Sequence, residues 1–216
     1  MVRSNQLAAE VDVDVAPTQT RSPREMEIIG SAYRTMAHSG SHRISLREVA
    51  TDAGVSKALL LYHFGTKEAL LFAAMKWALE RTAVRIRGGL ESASRPREQI
   101  GALIDAIFVD AEANREFYLF YLDLVEHASR SPGFGELSGM LDRIINGLFA
   151  EVIGNGVTDG VFSVDDVDVA ARHMRALIEG TFLQWIQTDD WRESHSQWKS
   201  DCRVALLLLL GVVQDS

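Results

Sequence analysis

Between Ser45 and Lys67 the chain sets hydroxyls at Ser45, Ser56 and Tyr62, cations at Arg47, Lys57 and Lys67, and an imidazole at His63, all within one short stretch. Hydroxyl, guanidinium and ammonium groups beside helix starts are donors to phosphate oxygens. A lysine on the first turn of a short helix can also reach base edges in a major groove. The chemistry on offer is therefore recognition of DNA rather than the making of bonds. Elsewhere the reactive side chains do not gather: the 6 histidines stand at positions 38, 42, 63, 127, 173 and 195 without metal-ligand spacing. There is no glycine-rich phosphate loop and no Gly-x-Ser-x-Gly, so no catalytic site, metal or cofactor is expected. An all-helical enzyme or small-molecule carrier with a fortuitous motif needs clustered catalytic groups, and none are visible. A helical interaction module with neither effector nor DNA would be favoured by a failure to bind any DNA.

The elements that would position these groups are written into the same stretch. Ser45 with Glu48 three residues on forms a capping box that starts a helix at Leu46. Leu46, Val49, Ala50 and Ala53 share one helical face, and Gly54 can supply the left-handed turn that ends it. Ser56 caps a second helix whose Leu60 should meet Val49 and Val55, with Ala50 small enough for a close, wide-angle crossing. Thr66 caps a third. This is a helix-turn-helix.

The string VSKALLLYHFGTKEALL at Val55 to Leu71 resembles the motif of TetR-family transcriptional regulators. The resemblance covers Pro23 to about Leu71 and implies a three-helix DNA-binding domain, its second and third helices forming the motif, followed by a long fourth helix. Beyond Leu71 the likeness is one of architecture. This chain has Leu61 where the family usually has a tyrosine that contacts phosphate, and Leu59 where a threonine or small residue is common. Tyr62 and His63 follow directly and either can replace that contact. Lys57 and Ala58 are assigned to base edges, Leu59 to a thymine methyl, and Ser45, Arg47, Tyr62, His63 and Lys67 to phosphates, with Ser56 and Leu61 on the same surface.

Charge is divided accordingly. The chain of 216 residues carries a net charge of -8, yet residues 21–67 hold 7 basic against 4 acidic side chains while residues 68–216 hold 14 against 23. Phosphate attraction is screened over about 8 Å at physiological salt, so the local excess decides. One cysteine, Cys202, excludes an intrachain disulfide framework. A cytoplasmic location is expected, because residues 1–20 carry Glu10, Asp12 and Asp14 and no long apolar run, and read as a disordered arm rather than a leader. The apolar stretch Val204 to Val213 is about half of what spans a bilayer.

The fold class is all-α with about nine helices: residues 21–67 as the helix-turn-helix domain and 68–216 as a helical effector-binding and dimerisation domain. Ser22-Pro23-Arg24-Glu25 opens the first helix, which should present Met26, Ile29, Tyr33 and either Met36 or Ala37 before Gly40 ends it. Long helices are expected from Lys67 to Gly88, Arg97 to Ala113, Glu116 to Ala128, Phe134 to Ile153, Asp165 to Thr188 and Ser194 to Gln214, with breaks at Asn114, Pro132 and the Gly154–Gly160 loop. The last two carry apolar stripes. The resemblance implies that they pair with a second copy, through Met174, Leu177, Thr181, Trp185, Leu206, Leu209 and Val213. The aromatic run Phe117-Tyr118-Leu119-Phe120-Tyr121-Leu122 points to a ligand wall made of Phe117, Tyr118, Tyr121, Leu122 and Val125, joined by Trp77, Phe108, Phe182 and Trp185. Arg172 and Arg175 read as a solvated or ion-paired face. The function expected is a repressor that binds an inverted-repeat operator as a homodimer and is released by a small apolar or aromatic effector. An activator or a corepressor-dependent regulator would use the same parts.

Overall fold

The computed structural model describes residues 21–39, 45–130 and 134–212, so the expected N-terminal arm and Val213 lie outside the described residues. Its elements run α1 (Pro23–Ser39), α2 (Leu46–Asp52), α3 (Lys57–Phe64), α4 (Lys67–Glu91), α5 (Pro96–Ile107), α6 (Ala111–Ser129), α7 (Phe134–Leu141), a π turn (Asp142–Asn146), α8 (Gly147–Thr158), α9 (Val167–Trp185) and α10 (Trp191–Leu209). Because α7, the π turn and α8 follow without a break, the described residues form nine continuous helical rods, all-α as the periodicity predicts.

Local chemistry sets the helix boundaries in the motif. The Glu48 backbone N–H donates to Ser45 Oγ at 3.2 Å while the Ser45 N–H donates to Glu48 Oε2 at 2.7 Å, a complete capping box on α2. Gly54 turns the chain at φ +60, a conformation that a Cβ disfavours. Ser56 and Thr66 then accept from the N–H groups of Leu59 and Ala69, both at 3.1 Å, and so start α3 and α4. Leu60 is fully buried, and Val49 and Ala50 are buried beside it. α1 braces the motif from behind: Arg24 Nη2 donates to the Gly54 carbonyl at 2.8 Å, and Arg34 Nη2 reaches Asp52 Oδ2 at 2.9 Å.

Three expectations change. The first helix buries Ile28, Ile29, Ala32 and Met36, while Met26 is exposed, so its inner face is turned by about one residue. The break between α5 and α6 falls at Phe108–Asp110 and not at Asn114. Asp110 makes it by capping α6, accepting from the Ala113 N–H at 2.8 Å. Asn114 is instead a buried junction: its amide donates to the Ile107 carbonyl at 2.8 Å, and its Oδ1 lies 2.9 Å from His195 Nε2, which must donate. Finally, α8 runs on through Gly154 to Thr158, where a loop was expected. Gly156 is there for contact, since a Cβ on it would come 2.1 Å from the Phe162 ring.

Behind the motif, α4 forms the spine, packed on α1 at one end and on α5 along the other, burying Leu70, Ala74, Met75, Leu79, Ala83 and Ile86. α9 and α10 pack on each other, and α9 also packs on α8. Among the described residues no helix is long and apolar enough to cross a membrane.

Candidate DNA-reading surface and effector cavity

On α3 the sequence puts one residue inward and the rest outward. Leu60 is fixed in the core, which leaves Lys57, Ala58, Leu59, Leu61 and Tyr62 exposed along the helix, with Ser56 at its start and Ser45 and Arg47 exposed at the start of α2. Lys67 is half-buried at the first turn of α4. Two side chains compete for the role usually given to a tyrosine at the Leu61 position, and their surroundings differ. Tyr62 is 83% exposed. The His63 side chain is only 20% exposed, and its Nδ1 lies 3.7 Å from Glu25 Oε1 on α1. That carboxylate is itself held by the Ser22 N–H at 2.8 Å, a hydrogen bond that keeps it below the usual carboxylate range.

A cavity of about 380 Å³ opens deeper in the molecule, walled by α1, α4, α6, the α7–π–α8 rod and α9. Its aromatic lining is Tyr33, Trp77, Phe117, Tyr118, Tyr121 and Phe149. Its charged lining is Arg34, Arg81, Arg85 and Arg175 with a single carboxylate, Glu179. Four residues of the expected wall are thus brought together: Trp77, Phe117, Tyr118 and Tyr121. The others are not among the lining residues. Phe182 lies behind Tyr118, stacked at 4.0 Å between centroids, and Phe108 behind Phe182 at 4.2 Å. Trp185 is fully buried and gives its indole N–H to the Trp191 carbonyl at 2.6 Å. Leu122 and Val125 fall on neighbouring faces of α6 and do not line the cavity.

Sequence reasoning missed Tyr33, Phe149, Glu179 and the arginines, because each is ordinary in its own helix and only packing brings them to one space. The Glu179 carboxylate accepts from the Tyr121 hydroxyl at 3.2 Å and pairs with Arg175 Nε at 3.3 Å, while Arg175 Nη1 also reaches Asp142 Oδ1 at 3.4 Å. Arg175 is therefore ion-paired, as expected, but toward the cavity. Burial pushes the Glu179 carboxyl above the usual carboxylate range, against the pull of Arg175, and burial together with Glu179 raises the Tyr121 phenol. The Tyr33 phenol is raised by burial to about 12, so it is a neutral donor.

The outer face of α9 and α10 differs from the expected interface. Met174, Trp185 and Leu206, expected to face a second copy, are all 0% exposed within one chain, where their side chains pack in its own core. Leu177, Thr181 and Leu209 are half-buried. The large apolar side chains that the two helices expose are Leu183 at 45%, Val204 at 46% and Leu208 at 67%.

Comparison with known proteins returns two family models. Residues 28–74 match that of bacterial regulatory proteins of the tetR family, and residues 96–208 match the C-terminal domain of BetI-type transcriptional repressors. The HTH-type transcriptional regulator BetI of Brucella canis is 27% identical over 167 residues, covering 74% of this chain and 79% of its own length. BetI of Brucella anthropi is 32% identical over 108 residues, or 50% of this chain and 56% of its own length. Among solved structures, a Saccharomonospora viridis protein in complex with choline superposes with TM-score 0.76 at 22% identity, covering 90% of this chain and 100% of its own. A TetR transcription regulator from Haloarcula marismortui superposes with TM-score 0.73 at 22% identity, covering 88% and 98%. These likenesses establish the fold.

Proposed function

Since the chain belongs to the TetR family of bacterial regulators and carries a BetI-type C-terminal domain, it is a helix-turn-helix transcriptional regulator, and we propose that it is a repressor released by a small quaternary ammonium compound. In this reading residues 21–67 are the reading head and residues 68–216 bind effector and a second copy. Lys57 and Ala58 meet base edges, with Leu59 against a thymine methyl. Ser45, Arg47, Lys67 and Tyr62 hold phosphates, Tyr62 in preference to His63 because its phenol is exposed while His63 faces Glu25. A homodimer built on the outward apolar residues Leu183, Val204 and Leu208 sets two heads on an inverted repeat, with half-sites separated by whole helical turns.

The observation that carries this proposal is the composition of the cavity wall. Aromatic faces with a carboxylate among them attract a soft cation, by the ring quadrupole and by charge. The choline held by the similarly folded Saccharomonospora viridis protein favours the same ligand class here. The wall also reaches the head directly: Gly30, Tyr33 and Arg34 of α1 line the cavity, and Arg34 holds Asp52 at the end of α2. A ligand that prefers one position of α1 and α4 shifts the heads by its differential affinity for the two positions.

The test is to select bound fragments from a genomic DNA pool with the whole chain, then add choline to the complex. The expected outcome is an inverted-repeat site and release by choline. Failure to enrich any site, or tighter DNA binding with choline, would contradict the proposal, the second pointing to a corepressor.

A further inference from the structure

The cavity's charges go beyond what a simple cation uses. Four guanidinium groups line it against one carboxylate. Two of them are answered within the protein: Arg34 by Asp52 at 2.9 Å, and Arg175 by Asp142 at 3.4 Å and Glu179 at 3.3 Å. The other two, Arg81 and Arg85, stand one helical turn apart on α4 and form no ion pair among the described residues. Arg85 donates to the Ala106 carbonyl at 3.2 Å and to Thr82 Oγ1 at 2.9 Å, which leaves one terminal nitrogen uncommitted. The Arg81 guanidinium lies 4.9 Å from the Trp77 ring centroid. Glu116 is near enough to act on the Tyr33 phenol, but it pairs with neither arginine.

This arrangement gives the cavity two ends. Arg81 already occupies a face of Trp77, so a ligand cation is turned away from that end by two guanidinium groups and by the loss of the ring. It is drawn instead to the end where Glu179 stands beside Tyr121, the charge of its partner Arg175 being shared with Asp142. The arginine end lacks an anion. Both guanidinium groups are solvent-exposed where they line the cavity; like charges at this spacing on a helix repel, and partial burial together with the charge of Arg81 lowers the pKa of Arg85. A planar carboxylate accepting from guanidinium groups and from the neutral Tyr33 hydroxyl satisfies all three.

We infer that the effector is a zwitterion, an alkylated ammonium joined to a carboxylate, with the ammonium beside Glu179 and the carboxylate on Arg81 and Arg85. This rests on the reading above that the cavity takes a quaternary ammonium group. It goes beyond that reading by assigning a separate anion subsite that choline, an alcohol, cannot fill.

The experiment is calorimetric titration of the whole chain with choline, with the trimethylammonium derivatives of acetate, propionate and butyrate, and with butyrate alone. The best of the three zwitterions is expected to bind about tenfold or more tighter than choline, as a charge-assisted contact gives. Arg85→Gln and Arg81→Gln should erase that advantage by weakening the zwitterion, with choline bound no more weakly than by the parent chain, while Arg85→Lys keeps part of it. Unchanged melting temperatures confirm that the variants are folded. If choline binds and no zwitterion exceeds it, or if both glutamine variants keep the preference, the anion subsite is wrong and the quaternary ammonium reading stands. If neither choline nor any zwitterion binds, or if butyrate matches the best of them, both fall.

Discussion

The reading head and the effector cavity are built by different means. In the head the features that set the helix boundaries are local: the Ser45 and Glu48 capping box, the left-handed Gly54, and the Ser56 and Thr66 caps each act within a few residues along the chain, while the brace from α1 through Arg24 and Arg34 is long-range. In the cavity almost nothing is. Tyr33, Trp77, Tyr121, Phe149 and Glu179 come from different helices, and the contact that completes the charged end, Tyr121 with Glu179, joins residues far apart in sequence. A surface that must read DNA gains from stiffness fixed by short-range hydrogen bonds. A cavity that must report a ligand needs walls that belong to separate rods, which can shift relative to one another. Arg34 belongs to both regions, lining the cavity while holding Asp52 of the head.

The largest effect that could break this comparison concerns the interface side of the effector domain. Leu206→Glu places a charge in a fully buried site and is expected to destabilise the fold by about 3–5 kcal/mol, read as lost solubility or a lowered melting temperature. Leu208→Glu, two residues on and 67% exposed, should alter folding stability by no more than about 0.5 kcal/mol, yet give a folded monomer by sedimentation with weakened operator binding. A stable dimer of Leu208→Glu would show that the outward face is not the interface. Of intermediate size is Asn114→Ala, which leaves the His195 Nε2–H without its partner and takes from the Ile107 carbonyl one of its two donors, the Val109 N–H remaining, and should cost about 1–3 kcal/mol in denaturant unfolding. Because burial holds His195 below its ordinary 6.5, its contribution is full above pH 6.5 and declines as pH falls toward the lowered folded value. Smallest is Tyr62→Phe, expected to weaken all operator sequences alike by about 0.5–1.5 kcal/mol, with His63→Gln weaker still. A change of preferred sequence in Tyr62→Phe would mean that the phenol reads bases.

The same contrast decides what could be read in the sequence. Caps, the turn glycine and the inward Leu60 were legible because their causes lie within a turn of helix. The helix count and the Trp77, Phe117, Tyr118 and Tyr121 wall were legible from periodicity and aromatic density. The rotation of long helices about their axes was not: Met174, Trp185 and Leu206, read as facing a second copy, are buried within their own chain. Asn114 looked like a breaker, since its local propensity is poor, but its amide satisfies a carbonyl and a histidine that only the fold brings near. The arginines of the cavity carry no signal of their own, because an exposed arginine and one facing a cavity look the same along a helix.

The central claim is that ligand and operator act on one equilibrium through the wall that α1 and α4 share. Linkage makes it measurable: the affinity of the best cavity ligand, determined by calorimetry with and without saturating operator DNA, should fall by the same factor by which that ligand weakens operator binding. Equal ligand affinities in the two states would contradict the account.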